Sequence, residues 1–321
     1  MKRVLLIMPN YYGFDDVVIE GLNKYSNCEV ANINYDVGFT YTNIFQRLDN
    51  AFSKVFLGRN KKPYLKERYF FQMVSKFETI DYLLVNRPDI LPSSVLNKAL
   101  EKAEVSKLLL WDSLEKVPVS KEIWQRFDQI YSFDKRDCET YGFIKINNFH
   151  FYKAEENDPP INNDALFLGT VDSRIKDLEK LMDYLIRQGL NAQAVLHVPR
   201  ERELTFQANV TVLDKIVPFN KSDVFAKSTR IIIDLAHKNQ VGLSFRVYEA
   251  MALGKKLITT NVHIKNYDFY DDRNIFVIED INNIVIPPSF FEENYFSLSP
   301  YLVEKYSIKS WVEEILKGNE A

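Results

Sequence analysis

The sequence predicts an α/β protein built from two parallel-sheet domains, and three observations carry that prediction. Short apolar, β-branched runs alternate with stretches of helical period, the pattern of strands joined by crossover helices into parallel sheets. One segment, Ala154–Asp164 (AEENDPPINND), is acidic, proline-containing and nearly without apolar residues, so it reads as a linker. The length, 321 residues, suffices for two cores of ordinary domain size. The expected division is a first domain over 1–153, a linker over 154–164 and a second domain over 165–299, followed by a last helix over about 300–317.

In the first half, Arg3–Met8 reads as a buried strand, followed by the loop Pro9–Phe14 (PNYYGF), a helix from about Asp15 to Tyr25 and a strand over Glu29–Asn34. Thr42–Gly58 carries apolar residues at Ile44, Phe45, Leu48, Ala51, Phe52, Val55 and Phe56, a helical period. A basic run follows it, with Arg59, Lys61, Lys62, Lys66 and Arg68. Asp81–Asn86 reads as a strand and Ser93–Ala103 as a helix, and Lys107–Trp111, Gln129–Phe133 and Phe143–Ile146 read as strands. After the linker, Ala165–Gly169 opens a second sheet and a helix runs from about Ser173 to Gln188, where Gly189 stops it. Strands over Asn191–Val198 and within Val210–Val217 precede a short helix over Lys221–Ser228. Asn274–Glu279 is a late strand.

The stretch Arg230–Asn261 is the most informative. Its apolar run, Ile231–Ile233, leads through Asp234 into a polar loop, His237 to Gly242. A helix from about Ser244 to Leu253 follows, then a strand over Lys256–Thr260. Ser244 stands where an N-cap belongs. Arg246 and Glu249 are three apart and share one helical face. A cation and a carboxylate beside a helix N-terminus suit an anion with attached hydroxyls, although the same pair can be a solvated ion pair on an ordinary βαβ unit.

Composition removes several classes. The net charge of −3 gives no case for nucleic acid. The two cysteines, Cys28 and Cys138, lack metal-ligand spacing and read as free thiols of a reducing compartment. The four histidines are scattered, so no structural metal is expected. The apolar run at the N-terminus ends at Pro9-Asn10, too short for a signal peptide, and no run of ~18 apolar residues spans a membrane. A cytoplasmic protein is the expectation.

The residues Gln240, Gly242, Leu243, Ser244, Arg246, Glu249 and Ala250, with Lys255 through Asn261, resemble the donor-binding segment of bacterial glycosyltransferases of GT-B architecture, of the capsular polysaccharide or lipopolysaccharide biosynthesis type. The resemblance implies two Rossmann-like domains facing across a cleft, with the second domain binding a nucleotide-sugar donor. It also implies a saccharide or lipid-linked acceptor in the first domain and a glutamate at the position of Glu249 that holds the ribose hydroxyls. In such a fold the terminal helix often crosses back onto the first domain. Two further stretches are similar to family signatures: the loop Pro9-Asn10-Tyr11-Tyr12-Gly13-Phe14-Asp15, where an aspartate replaces a glutamate, and Leu110-Trp111-Asp112-Ser113.

Because ligands of open α/β sheets sit at the carboxyl ends of strands, polar residues just after strands are the site candidates. Asp15 and Asp112 are the candidate catalytic carboxylates, able to deprotonate an acceptor hydroxyl; each is also a plausible helix N-cap. Thr170, Arg174, Gln240, Gly242, Leu243, Ser244, Arg246 and Glu249 are the candidate donor-binding residues. Arg174 is the diphosphate candidate, and His237 stands close to the donor loop. Val241 occupies the place of a second glutamate common in retaining enzymes, which leaves stereochemistry open. No Asp-x-Asp motif is present, so metal-independent turnover is expected, with no cofactor beyond the nucleotide-sugar substrate. The apolar helix and basic run of 42–68 suit peripheral contact with an anionic membrane, or equally a core helix and a solvated loop. A nucleotide-sugar epimerase and a non-catalytic nucleotide-sugar-binding protein are the alternatives.

Overall fold

A computed structural model of the chain describes residues 1–36, 39, 46, 47, 50, 54, 60–152, 159–198, 209–238 and 240–317. The first sheet contains β1 (Lys2–Ile7), β2 (Cys28–Ile33), β3 (Ile80–Val85), β4 (Ala103–Leu110), β5 (Gln129–Ser132) and β6 (Ile144–Lys145) in the order β2-β1-β3-β4-β5-β6. The second contains β7 (Asn163–Thr170), β8 (Ala192–His197), β9 (Val210–Leu213), β10 (Thr229–Asp234), β11 (Lys256–Thr259) and β12 (Ile275–Val277) in the order β12-β11-β10-β7-β8-β9. Every strand pair in both sheets is parallel. Both orders reverse direction at their first strand, β1 beside β3 and β7 beside β10, which opens a crevice at the carboxyl ends there.

Both faces of each sheet are covered, which is why the strands read as unbroken apolar runs. In β1, Leu5 and Ile7 enter one core while Val4 and Leu6 enter the other. In β10, Ile231 and Ile233 face one side and Ile232 the opposite one. The covering helices among the described residues are α1 (Phe14–Tyr25), α2 (Lys62–Ser75), α3 (Ser93–Lys102), α4 (Lys121–Trp124), α5 (Lys135–Tyr141), α6 (Ile175–Arg187), α7 (Asp223–Lys227), α8 (Phe245–Ala252), α9 (Pro288–Glu292), α10 (Pro300–Lys305) and α11 (Ile308–Leu316).

Several elements differ from expectation. Most of the 42–58 helix lies outside the described residues, as do Arg59, Lys153 and residues 154–158 of the linker. From Lys62 onward the basic run is helical: α2 starts at Lys62 with Pro63 in its first turn, buries Phe70 and Val74, and sets the Lys66 ammonium 4.1 Å from the centre of the Tyr35 ring. The last two linker residues belong to β7, because Arg230 (3.2 Å from Asp164) and Gln193 (2.9 Å from Asn163) satisfy their polar side chains.

The terminal helix is two helices rather than one. Between α10 and α11 the chain bonds to the first domain: the His150 N–H donates to the Tyr306 carbonyl (2.9 Å), and the Ile308 N–H donates to the His150 carbonyl (2.7 Å). Ser307 then caps α11, accepting from the Ser310 N–H at 3.3 Å. Helix α11 lies in the core of the first domain, where Ile308, Trp311, Val312 and Ile315 are buried against one face of the first sheet and α1. A Cβ on Gly21 of α1 would stand 2.3 Å from the tip of Ile308, so a larger residue here would make that side chain shift. Lys107 of β4, fully buried, donates to the carbonyls of Ile315 (2.6 Å) and Lys317 (3.2 Å) at the end of α11. Burial pushes the Lys107 pKa down to about 8.

The two domains meet through aromatic rings. Phe14 of α1 touches Trp111 and Phe149 of its own domain and Phe219 and Phe245 of the other, with centroid separations of 4.6–5.8 Å. Beside this cluster the Phe219 N–H donates to the Tyr12 carbonyl at 2.7 Å. Residues 9–14, the loop after β1, are thereby fixed against the second domain.

Candidate active site at the interdomain cleft

The donor loop is positioned by its own polar side chains. Strand β10 ends at Asp234, whose buried carboxylate accepts from Ser244 Oγ (2.7 Å) and Thr259 Oγ1 (2.9 Å). One aspartate thus ties the strand end, the start of α8 and the neighbouring strand. Ser244 is the N-cap of α8, accepting from the Arg246 N–H at 3.2 Å. The Gly242 carbonyl accepts from Gln240 Nε2 (3.1 Å) and from Asn261 Nδ2 (3.2 Å). From the first domain, Asn148 Nδ2 donates to the Leu243 carbonyl at 2.9 Å. Gly242 lies so close to the Phe133 ring that a Cβ there would stand 2.2 Å from it. Glycine at 242 serves close approach of the two domains.

A cavity of about 930 Å³ opens between the domains at this loop. The second domain lines it with Leu235 to Lys238, Gln240 and Val241 after β10, Thr260 to His263 after β11, and Ile278 and Glu279 after β12. The first domain contributes Phe133, Lys135 and Arg136 after β5, and Lys145 and Asn147 at the end of β6. The position at strand carboxyl ends and the volume both match what a nucleotide-sized ligand needs. A second cavity of about 280 Å³ shares Phe133, His237, Lys238 and Gln240 with the first and adds Asp112, Ser113, Glu115, Lys116 and Ser173. His237 stands at the junction of the two. Burial, helped by the charges of Arg174 and Lys116, lowers its pKa and favours the neutral imidazole.

Of the residues singled out from sequence, Asp112 and Gln240 line these cavities. Asp112 is ion-paired to Lys116 at 2.6 Å. Gly242, Leu243 and Ser244 shape the loop from behind. Thr170 ends β7, partly exposed, and lines neither cavity. Arg174 is held by Asp172, with contacts of 2.6–3.1 Å, and its Nη1 donates to the Leu235 carbonyl. Burial alone would raise the Asp172 pKa, but the bonds from Arg174 outweigh it and hold it low.

Arg246 and Glu249 are ion-paired to each other, and neither lines the cavities. Glu249 is 1% exposed. Its Oε1 lies 3.5 Å from Ser222 Oγ, which is 3.2 Å from the Tyr152 hydroxyl. Burial and the nearby Glu249 charge push the Tyr152 pKa up. A ribose hydroxyl that reaches Glu249 has to displace one of these partners. Asp15, 3% exposed, lies behind the first turn of α1 and accepts from Asn34 at 2.5 Å; its other oxygen has no hydrogen-bond partner. Burial raises its pKa. Asp15 lines neither cavity.

Sequence reasoning missed Lys145, Asn147 and Lys238. Lys238 lies in the loop after a strand of the second sheet, a signal that was available. Lys145 was read as strand interior.

No protein-family model matches this chain, and no curated protein sequence does. Among solved structures, Anabaena HepE in complex with UDP and glucose is similar over 98% of this chain and 98% of that one, at 11% identity and a TM-score of 0.57. The pneumococcal O-GlcNAc transferase GtfA in complex with UDP and GlcNAc is similar over 79% of this chain, at 12% identity and a TM-score of 0.52. The matched region spans 60% of the length of that protein. At such identities the likeness is one of fold: two parallel-sheet α/β domains in the GT-B arrangement.

Proposed function

We propose that this chain is a glycosyltransferase that moves a sugar from a nucleotide-activated donor to a saccharide or lipid-linked acceptor, in the assembly of a bacterial surface polysaccharide or lipooligosaccharide. The observation that supports it best is the pair of joined cavities between the domains. The larger one, at the carboxyl ends of β10–β12, has the size for a nucleoside diphosphate and carries four cations, Lys135, Arg136, Lys145 and Lys238, against three carboxylates, Glu139, Asp177 and Glu279. The smaller one has polar walls from both domains and suits a sugar ring beside it. Chemistry then falls at their junction, around His237, Gln240 and Asp112. A leaving diphosphate requires charge neutralisation as the glycosidic bond breaks, and preorganised cations supply it without a metal. Of the two candidate bases, Asp112 has access to the cavity.

The experiment is a thermal-shift panel of nucleoside diphosphates and nucleotide sugars. Ligand at a hundred times its Kd adds about 2.7 kcal/mol to apparent stability, so at least one nucleotide should raise the melting temperature by several degrees. A panel without any shift would remove the donor site. Conversion of the bound nucleotide sugar to its epimer without acceptor would replace transfer by epimerisation.

Peripheral membrane contact through 42–68, at the cytoplasmic face, belongs to the same reading. In its described part, Lys62 and Tyr64 are exposed. Among the described residues no helix is long and apolar enough to cross a membrane. Liposome co-sedimentation should show binding to anionic vesicles that weakens with salt, by about 1 kcal/mol for each basic residue neutralised. Equal indifference to anionic and neutral vesicles would dismiss the membrane part alone.

A further inference from the structure

A diphosphate in the larger cavity needs cationic partners, and most cations around it already have acidic ones. Arg174 is engaged by Asp172 and the Leu235 carbonyl. Lys135 pairs with Glu139 (3.5 Å), and Arg136 with Glu115 (3.4 Å) and Asp134 (3.7 Å). Lys145 differs. Its ammonium donates to two neutral acceptors, the Ile146 carbonyl (3.0 Å) and Asn147 Oδ1 (3.1 Å), and no carboxylate lies within ion-pair distance among the described residues. It is half-buried, and burial lowers its pKa. Asp134 and Glu314 attract it only from beyond ion-pair distance, and their pull is weaker than its loss of hydration, so the cation is incompletely compensated until an anion arrives.

The position of Lys145 is fixed by the fold. Strand β6 pairs with β5 at Ser132, directly before Phe133, whose ring meets Gly242 of the donor loop. Three residues on, Asn148 is bonded to the Leu243 carbonyl. The end of β6 is therefore attached to the donor loop while Lys145 lines the cavity beside it. In the donor loop itself, Lys238 lines both cavities, is exposed, and has no ion pair among the described residues.

We propose that Lys145 of the first domain and Lys238 of the second form a two-sided subsite for the diphosphate of the donor, in place of Arg174. This rests on the nucleotide-sugar reading above and adds the residues that carry it. The subsite bridges the domains, since the anion would neutralise one charge from each.

The test is isothermal titration of the wild type, Lys145→Gln, Lys238→Gln and Lys145→Arg with UDP, GDP, CDP, ADP, dTDP, the matching nucleosides and inorganic pyrophosphate. Circular dichroism confirms that each variant is folded. The expected result is that a nucleoside diphosphate binds wild type and loses about tenfold or more in affinity in each Gln variant. Affinity for the nucleoside alone should not change, and Lys145→Arg should recover most of the loss because it restores the charge. Diphosphate affinity in folded Lys145→Gln equal to wild type overturns the subsite and leaves the glycosyltransferase reading standing. Equal losses for nucleoside and diphosphate also overturn it, since the lysine would then act on the loop rather than on the phosphates. Failure of the wild type to bind any nucleoside diphosphate removes both.

Discussion

Replacing Glu249 with alanine is expected to destabilise the protein by about 3–5 kcal/mol. Glu249 is 1% exposed and its carboxylate is ion-paired with Arg246, so the alanine variant leaves a guanidinium in a partly buried site without its counter-charge. The loss extends to Ser222 and, through it, to Tyr152 at the edge of the first domain. Urea unfolding measures it. A change below about 1 kcal/mol, the scale of a surface pair, would show that the ion pair does not hold α8. Glu249→Gln keeps the shape and removes the charge, and it separates the structural role from donor binding. If the carboxylate also reaches the ribose, folded Glu249→Gln loses about 1.5–3 kcal/mol of nucleoside diphosphate affinity. Unchanged affinity would assign Glu249 to the fold alone.

Asp112→Asn is expected to reduce sugar transfer by a factor of about 10²–10⁴ while leaving donor affinity near that of wild type. Asp112 lines the smaller cavity opposite His237 and Gln240, where an acceptor hydroxyl would meet the transferred sugar. Its pairing with Lys116 orients the carboxylate. Asp15→Asn, by contrast, should act through stability, since Asp15 is buried against Asn34 away from both cavities. The wild-type rate should be unaffected by EDTA. Transfer by Asp112→Asn at the wild-type rate would exclude it as the base, and loss of wild-type turnover in EDTA with recovery in magnesium would contradict metal independence.

The fold was legible because both sheets are buried on two faces. Runs such as Val4–Met8 and Ile231–Ile233 have no polar alternation and are too short for helices. What escaped was helix α2, whose Lys62, Lys66, Glu67 and Arg68 hide a narrow apolar stripe of Phe70 and Val74. Helix α5 escaped as well, although its signals stand in the sequence: Asp134 accepts from the N–H groups of Arg136 and Asp137, and Gly142 ends the helix at φ 73°. The break at Ser307 was not visible locally, because it depends on backbone bonds to His150, far away in sequence.

The site was legible in part, through Asp112 in the first domain and Gln240 in the second. Gln240 follows from the rule that polar residues after strands face the ligand, and Asp234, Ser244 and Thr259 form the bracket that a β-loop-α-β unit implies. Glu249 and Arg246 do share a helical face, as their spacing requires, but that face turns to Ser222 and Tyr152. Periodicity gives a shared face and not its direction. Lys145 enters the cavity only because Phe133 docks on Gly242 and Asn148 on Leu243, contacts between domains that no local pattern encodes.

The central claim is that a nucleoside diphosphate binds between the domains at the donor loop. Hydrogen–deuterium exchange with the strongest-binding nucleotide of the thermal-shift panel tests it most directly. Segments 133–148 of the first domain and 235–243 and 260–263 of the second should slow together on nucleotide addition, since a ligand in this cavity touches all three. Protection confined to another surface, or no change in any of these segments at saturating nucleotide, would contradict the account.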